Sequence, residues 1–289
     1  MPADLTLSPR AVALLEERRQ ARSIAEIAYE HAPFADGVMC YSAPGSWSNQ
    51  AVGVGFDRAP TPDEFRAFLD WYTTRSVEPR LELHPFVPAS FLQALAEANF
   101  TVRRFEHVLA RPLDHAETCV PLFQPPGDLQ LHELDPADST TLEAITRIQA
   151  EGFLPVGHTP DESLLETIRR ALRLPRARTF YATLDAPGGE RLIAGCAGME
   201  SAPPVAALYG AVVLPGFRRR GVQQALIAHR LNAGISMGCR VATIGSRPDI
   251  PTERNALRMG FTVAYSKTIA AMAGPGLITS DIPDPDQSA

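Results

Sequence analysis

The chain has 289 residues and a net charge of −6, so its length is about twice the ~150 residues of a typical domain. An acidic balance argues against proteins that coat nucleic acid or anionic membranes, because both classes present a broadly basic face. Charged residues also interrupt every apolar run before it reaches the ~20 residues that span a bilayer. We therefore expect two domains, with neither nucleic acid nor membrane as a partner.

The four cysteines stand singly along the chain, at positions 40, 119, 196 and 239. Zinc sites and disulfide frameworks need paired or closely spaced cysteines, and this spacing has neither. The sequence thus predicts no metal site, and it predicts reduced thiols, as is typical of a cytoplasmic protein.

Helix and strand patterns alternate along the first half of the chain. A helix begins at Pro9 with Ser8 as its N-cap and continues to about residue 31, and a second begins with a capping box of Thr61 and Glu64. The other predicted elements are a β-rich stretch at 37–56, a strand at 80–86, a helix at 88–99 and a strand at 100–113. The Pro-rich residues 120–128 follow as a linker.

The second half predicts a mixed sheet. After a strand at 129–134, a helix begins at Pro136 with Asp135 as its cap, and another begins at residues 159–162. Turn signals separate three strands of an antiparallel meander, at 177–185, 191–200 and 205–214. A helix at 221–238, a strand at 240–245, a helix at 252–259 and a strand at 261–272 follow. The fold class is therefore α+β (mixed α/β), with a central, mostly antiparallel sheet flanked by helices.

The segment LYGAVVLPGFRRRGVQQALIAHRL, residues 208–231, joins a strand, a Pro-Gly turn, three arginines and a glycine that opens a helix. The first turn of a helix has unpaired backbone N–H groups and partial positive charge, which suits phosphate. Gly221 allows close backbone approach, and Arg218, Arg219 and Arg220 add charged donors. The segment lacks the Lys-Ser or Lys-Thr pair of a P-loop and the three glycines of a dinucleotide fingerprint. We expect a diphosphate here; an ordinary solvated turn is the alternative.

This segment resembles the acyl-CoA motif of the GNAT superfamily of N-acetyltransferases, which has Arg or Gln, two residues, Gly, one residue, then Gly or Ala. Arg218 and Gly221 match the motif, and Gln223 stands where the family has a small residue. The resemblance continues through RVATIG and RNALRMGFTVAY and extends over about residues 129–272. It implies a GNAT-like fold with a twisted sheet, acetyl-CoA as cosubstrate, and transfer of an acetyl group to an amine of a small molecule or peptide.

The resemblance also implies the cofactor contacts. Backbone groups of Val212, Val213 and Leu214 would pair with the pantetheine arm as an added strand does. Asn255 would meet the cofactor from the last helix. The pyrophosphate would be held by backbone amides around the helix start, namely those of Arg219, Arg220, Gly221, Val222, Gln223, Gln224 and Ala225.

The catalytic groups depart from the family pattern. Many members carry a tyrosine four residues before the last Gly-Phe pair, as the acid that protonates the leaving thiolate, and this chain has Ala256 there. Tyr209, Tyr265 or water remain as the acid, or the reaction does without one, since a thiolate is a tolerable leaving group. Glu200, at the end of the strand before the cofactor strand, is the predicted base.

The first half repeats the element order of the second, and Phe100-Thr101-Val102 matches Phe261-Thr262-Val263 letter for letter. At the turn that corresponds to the phosphate turn, Pro60 and Pro62 have no N–H to donate. We therefore predict tandem domains: a shortened, degenerate copy at 1–119 without a cofactor site, the linker at 120–128, the acetyltransferase domain at 129–275 and a flexible polar tail at 276–289.

Two other functions stay open from the sequence. A non-catalytic acyl-CoA sensor or partner domain would keep the cofactor residues without an acid and base, and another nucleotide or phosphate-ligand protein would use the same turn. Among the acidic residues near the cleft, Glu151, Asp161 and Glu200 would suit a cationic amine acceptor. A homodimer also stays open.

Overall fold

A computed structural model describes residues 8–155, 157–186 and 188–280. The helices of these ranges are α1 (Pro9–Ile27), α2 (Pro62–Thr73), α3 (Ala89–Glu97), α4 (Ser139–Phe153), α5 (Glu162–Leu172), α6 (Val222–Ser236) and α7 (Pro251–Arg258). The strands are β1 (Glu30–Phe34), β2 (Gly37–Tyr41), β3 (Gln50–Val52), β4 (Arg80–Leu83), β5 (Thr101–Pro112), β6 (Gln130–Glu133), β7 (Ala177–Asp185), β8 (Arg191–Ala202), β9 (Val205–Val213), β10 (Val241–Ser246) and β11 (Thr262–Ala271). No helix in the described ranges is both long and apolar enough to cross a bilayer.

The predicted starts of α1 and α2 are confirmed. Ser8 Oγ accepts the Ala11 N–H, and Thr61 and Glu64 form the reciprocal capping box. The predicted end of the first helix was wrong, because α1 ends at Ile27 and residues 30–34 form β1. β1 pairs with β2 through a two-residue turn whose residues both have positive φ, a hairpin geometry that the helical pattern of this segment does not reveal.

The predicted start of α4 was also wrong. Asp135 does not cap this helix, because its carboxylate accepts the Ala137 N–H in a turn that precedes it. Asp138 is the cap, and its Oδ1 accepts the N–H groups of Thr140 and Thr141 at 3.1 Å each. The two aspartates lie three residues apart, and Asp138 is the cap because the turn that begins at Asp135 comes before the helix.

The described chain divides into two compact units, unit 1 with residues 8–108 and 263–280 and unit 2 with residues 109–262. In unit 1 the strand order is β1-β2-β3-β4-β11, with only β3 and β4 parallel. In unit 2 the order is β10-β9-β8-β7-β6, with only β9 and β10 parallel. Each sheet is flanked by helices, so the predicted fold class, mixed α/β with a mostly antiparallel sheet, is confirmed.

Each unit has its own apolar core. In unit 1 the rings of Phe34 and Phe68 stack at 4.5 Å, and Phe91 meets Phe34 edge-on. In unit 2 the helix α6 packs on β7, β8 and β9 around buried Leu226, Leu231 and other apolar side chains. These cores hold the helices in place over the sheets.

The last strand of each predicted domain lies wholly or partly in the other unit, so the predicted boundaries of 1–119 and 129–275 differ from the structure. β11, at the end of the second half, belongs to unit 1, where Thr268 to Ala271 pair with Leu83 to Arg80. The end of β5, from Leu109 onward, belongs to unit 2, where Leu113 N–H donates to Arg240 O. The same Phe-Thr-Val sequence stands at the start of both strands, with each strand beginning at the threonine, so local sequence does not distinguish their partners.

The predicted linker and tail also differ from the structure. Residues 120–128 lie inside unit 2. Residues 276–280 pack in unit 1, where Ile278 N–H donates to Ser76 O and Arg80 Nη1 donates to Ser280 O, both at 2.8 Å. The predicted flexible tail therefore does not begin at residue 276, and its remainder, 281–289, lies outside the described residues.

We expect a fragment of residues 120–289 to be unable to fold. It lacks Leu109 and Leu113, which are buried in the unit 2 core and whose burial contributes about 1.5–3 kcal/mol each to the free energy of unfolding. It also lacks β4, the strand with which β11 pairs. Circular dichroism and thermal melting of this fragment should show no cooperative transition, whereas the full chain should melt cooperatively. A cooperative transition in the fragment would contradict the strand exchange.

Candidate functional site

The parallel strands β9 and β10 share only part of their length. Their registered pairs run from Val205 and Val241 to Leu208 and Ile244, and β9 then continues to Val213. A cavity of about 1490 Å³ within unit 2 has the end of β9, the following turn and the first residues of α6 in its wall. Small-molecule sites commonly occupy ~300–1000 Å³, so this cavity has room for an extended ligand.

The end of β9 presents one residue, rather than three, to an added strand. Leu214 N–H donates to Ala194 O at 2.9 Å, so its backbone is paired with the β8 side. Backbone directions alternate along a strand, which turns Val212 the same way and Val213 toward the cavity. Of the three residues expected to pair with a pantetheine arm, the structure thus places only Val213 suitably.

The turn after β9 combines an unusual backbone with an uncapped helix. Arg219 and Gly221 have φ values of +60° and +76°, and glycine adopts the left-handed conformation without strain. Among the described residues, no side chain hydrogen-bonds the start of α6 at its cap, Gly221. Since α3 and α7 also begin without a side-chain cap, the cavity and the charge around α6 distinguish this helix start.

Five arginines line the cavity, namely Arg218, Arg219, Arg220, Arg247 and Arg258. Arg218 Nε donates to Val213 O at 3.1 Å, and the guanidinium of Arg220 lies 5.8 Å from the Phe217 ring centroid. Arg247 and Arg258 were missed in the sequence. A signal existed for Arg247, since it follows the carboxyl end of a parallel strand, where ligands of α/β sheets bind.

The amide side chains predicted near the cofactor contact one another. Asn255 Nδ2 donates to Gln223 Oε1 at 2.5 Å, and Gln224 Nε2 donates to Asn255 Oδ1 at 3.3 Å. Gln223 Nε2 also donates to Thr252 Oγ1 at 3.0 Å. Of these residues, Gln223, Gln224, Asn255 and Thr252 all line the cavity. The network joins α6 to α7 beside the turn.

Ala225 does not belong to the predicted amide set. Its N–H donates to Gly221 O at 3.0 Å, as the first full α-helical bond of α6, and the residue is buried outside the cavity wall. The first-turn amides of Val222, Gln223 and Gln224 remain as the donors that a helix start leaves for a ligand.

The predicted linker forms another part of the cavity wall. We call residues 119–128 the strap. Cys119 and Asn232 exchange two hydrogen bonds, of 2.8 and 2.9 Å, and Gln224 Oε1 accepts the N–H groups of Leu122 and Phe123 at 3.2 Å each. Four strap residues line the cavity: Phe123, Gln124, Pro125 and Pro126. A proline-rich composition gave no sign of this role.

The start of α2 in unit 1 contrasts with that of α6. Glu64 N–H donates to Thr61 Oγ1, and the Glu64 carboxylate accepts the Thr61 N–H at 2.8 Å. Arg58 also binds this carboxylate, and its hydrogen bonds hold the pKa of Glu64 well below its usual value, at about 2. The donors and the positive charge of this turn are therefore satisfied by the chain itself.

The predicted base and one predicted acid lie away from the cavity wall. Glu200 is 2% exposed, and its Oε1 accepts from Arg176 Nε at 3.2 Å. The Tyr209 ring lies over Gly198, where an added Cβ would come within 2.4 Å of it. Neither residue lines the cavity, so the structure does not bring them to the predicted site.

Tyr265, the other predicted acid, lies in unit 1. Its hydroxyl donates to Glu17 Oε1 at 2.6 Å, and Lys267 Nζ contacts the same carboxylate at 2.7 Å. Burial raises the pKa of Tyr265 far above its usual value. Tyr265 belongs to a buried polar cluster and does not line the cavity.

Two other polar residues do line the cavity near the end of α4. Glu151 is in the last turn of α4, and exposed His158 follows in the connection to α5. Asp161, which was grouped with Glu151 as an acidic residue near the cleft, instead caps α5 by accepting the Leu164 N–H at 2.8 Å, and it does not line the cavity. Carboxylate and imidazole groups can both accept a proton from an amine.

Residues 142–261 match the family model described as the acetyltransferase (GNAT) family. This part of the chain is a GNAT acetyltransferase domain. The resemblance drawn from the Arg218 turn is thereby confirmed, and the match includes the whole of β9, α6, β10 and α7. Proteins of this family use acyl-CoA, so acyl-CoA-dependent acyl transfer is the activity that the match supports. That the first half is a degenerate copy stays a prediction.

Solved structures show the same fold over most of the chain. A GCN5-related N-acetyltransferase from Kribbella flavida is similar over 92% of this chain and 97% of its own, with a TM-score of 0.65 at 13% identity. A tandem GNAT protein from the clavulanic acid biosynthesis pathway is similar over 86% and 85%, with a TM-score of 0.58 at 13% identity. A conserved protein of unknown function from Staphylococcus epidermidis is similar over 83% and 92%, with a TM-score of 0.56 at 10% identity. No curated protein sequence matches this chain.

We expect Glu200→Gln to lower the free energy of unfolding and not to act through catalysis. The substitution removes the charge of a buried carboxylate bonded to half-buried Arg176, which should cost about 1–3 kcal/mol. Urea denaturation of wild type and variant measures the difference. Unchanged stability together with a large loss of turnover would restore Glu200 as the base.

Proposed function

We propose that unit 2 is an N-acetyltransferase that takes the acetyl group of acetyl-CoA to an amine of a small molecule or peptide. The observation that carries this proposal is the uncapped start of α6 in a cavity lined by five arginines. Backbone donors, the helix dipole and guanidinium groups together favour a diphosphate, and acetyl-CoA contains one. The four cysteines are free and buried, which supports a cytoplasmic location as part of the same proposal.

The proposed contacts follow the wall of the cavity. The first-turn amides of α6 hold the diphosphate, and Arg219 and Arg220 add charge-assisted hydrogen bonds from exposed positions. Val213 pairs its backbone with the pantetheine arm, which leads the thioester along β9 toward Ala211. Transfer then depends mainly on holding the amine against the thioester carbonyl, and such positioning supplies much of the rate enhancement.

Glu151 is the group that we assign to the amine. Glu151 lines the cavity at the end of α4, whereas three of the five lining arginines belong to the turn after β9, so the acidic group is available to attract a cationic acceptor. The same carboxylate could accept the proton that the ammonium must lose before attack, directly or through water. His158 lines the same wall and is the second candidate for that proton.

A non-catalytic acyl-CoA binder is the second candidate function. It is favoured by the positions of Glu200, Tyr209 and Tyr265, which all lie away from the cavity wall. Acetylation of any amine by the purified protein would decide against it. A nucleotide binder would use the same turn, and competition between acetyl-CoA and ATP distinguishes that case.

Calorimetry of the full chain tests the site through a matched pair of variants. We expect one acetyl-CoA site per chain, not displaced by ATP. Gly221→Ala and Gly221→Asp both add a Cβ at positive φ, 3.4 Å from Phe123 O, but only aspartate adds negative charge. The alanine variant should bind within about tenfold of wild type, and the aspartate variant roughly a hundredfold more weakly than wild type. Equal affinities of the two folded variants would contradict a diphosphate at this turn.

Glu151→Gln should raise the KM for a cationic amine roughly tenfold, with kcat changed less, if the carboxylate mainly binds the acceptor. Asp161→Asn is the matched control, because Asp161 is ten residues away in sequence and caps α5 without lining the cavity, and asparagine also caps helices. Steady-state kinetics with the same amine measure both. An equal change in the two variants would show a general effect of surface charge and contradict the assignment.

A further inference from the structure

The strap is fixed to unit 2 at three points. Near its beginning Cys119 exchanges hydrogen bonds with Asn232 of α6, and at its end Asp128 Oδ2 accepts the Asp185 N–H at 2.9 Å. Between them, Gln224 Oε1 accepts two strap N–H groups. Gln224 is 2% exposed, so this buried side chain is committed to the strap and to Asn255. A segment held at three points can serve as a wall of a site.

The strap passes directly over the start of α6. A Cβ added to Gly221 would lie 3.4 Å from Phe123 O and 3.5 Å from the Cα of Pro125. These distances are ordinary contacts, so the strap lies against the same glycine whose neighbours hold the diphosphate in the proposed function. A ligand group attached to that diphosphate on the side away from β9 therefore lies within reach of the strap.

Two neighbouring strap residues differ in their relation to the cavity. Leu122 is 59% exposed and does not line it, whereas Phe123 is 60% exposed and does. A phenyl ring left open beside a phosphate-binding turn offers a face on which a nucleobase can stack, and such stacking is favourable for every base. Coenzyme A carries an adenine on the side of its diphosphate opposite the pantetheine.

We propose that the strap forms the nucleotide end of the cofactor site, with Phe123 packing against the adenine of CoA and Gln224 acting as a positioning residue that holds Phe123 there. The inference rests on the proposed function, since it requires CoA to be the ligand. Pantetheine follows Val213 and the diphosphate lies at the α6 start, so adenosine takes the wall formed by the strap. The segment before the GNAT domain is thereby part of its cofactor site.

Calorimetry with two ligands tests this assignment on the full chain. CoA contains the adenosine half, and 4′-phosphopantetheine lacks it. Phe123→Ala should weaken CoA binding roughly tenfold and leave 4′-phosphopantetheine binding unchanged. Leu122→Ala is the matched control, from the same strap and with the same exposure, and it should bind both ligands as wild type does. Gln224→Met should lower the affinity ratio of CoA to 4′-phosphopantetheine in the same direction as Phe123→Ala.

The outcomes separate this inference from the proposed function. If wild type binds CoA and Phe123→Ala binds it equally well, the strap assignment is overturned and the proposed function stands. Equal weakening of both ligands by Phe123→Ala, or equal weakening of CoA binding by Leu122→Ala, also overturns it, because the strap would then act only on the stability of the turn. If wild type binds no CoA, both proposals fail.

Discussion

The backbone donors at the start of a helix need acceptors, because a buried donor without one costs about 1–3 kcal/mol. This chain meets that need with its own side chains at α1, α2, α4 and α5, through Ser8, Thr61, Asp138 and Asp161. The helices α3, α6 and α7 begin without a side-chain cap, and of these α6 begins at Gly221, with three arginines before it. A helix start of this kind adds to the electrostatic potential of the arginines, and the cavity, the amide network and the strap are arranged around it.

The two units differ in the side chains at the turn before a helix, at α2 in unit 1 and at α6 in unit 2. In unit 1, Thr61 and Glu64 satisfy the first turn of α2 and Arg58 binds the Glu64 carboxylate, so the local charges cancel. In unit 2, Arg218 uses its Nε on Val213 O, while its neighbours stay exposed. Each sheet contains one parallel pair, β3 with β4 in unit 1 and β9 with β10 in unit 2. The two helix starts therefore differ in the side chains of the turn and not in the kind of strand pair beside it.

The sequence reveals features that depend on local chemistry, such as the turn at Gly221, the capping box of α2 and the meander. It fails where two local solutions are equivalent. Asp135 and Asp138 are both good caps, and two strands that begin with Phe-Thr-Val can each close either sheet. It also fails where strand register decides, since only the pairing of β8 and β9 shows that the backbone N–H of Leu214 donates to β8 and is not available to an added strand. The strap role needed the fold itself, because Gln224 and Phe123 lie about a hundred positions apart.

The surroundings of Ala256 explain why this chain has no tyrosine at the position where many family members have the acid. Ala256 is fully buried in the unit 2 core beside Phe261, so a tyrosine there would overpack the core, at a typical cost of about 1–3 kcal/mol. The position therefore serves packing, and the proposed transfer has to proceed without that acid. This is chemically acceptable, because a thiol with an ordinary pKa near ~8.5 leaves readily as thiolate. The amine has the greater need for a proton acceptor, since it arrives protonated, and Glu151 and His158, which line the cavity near α4, are the acceptors that we propose.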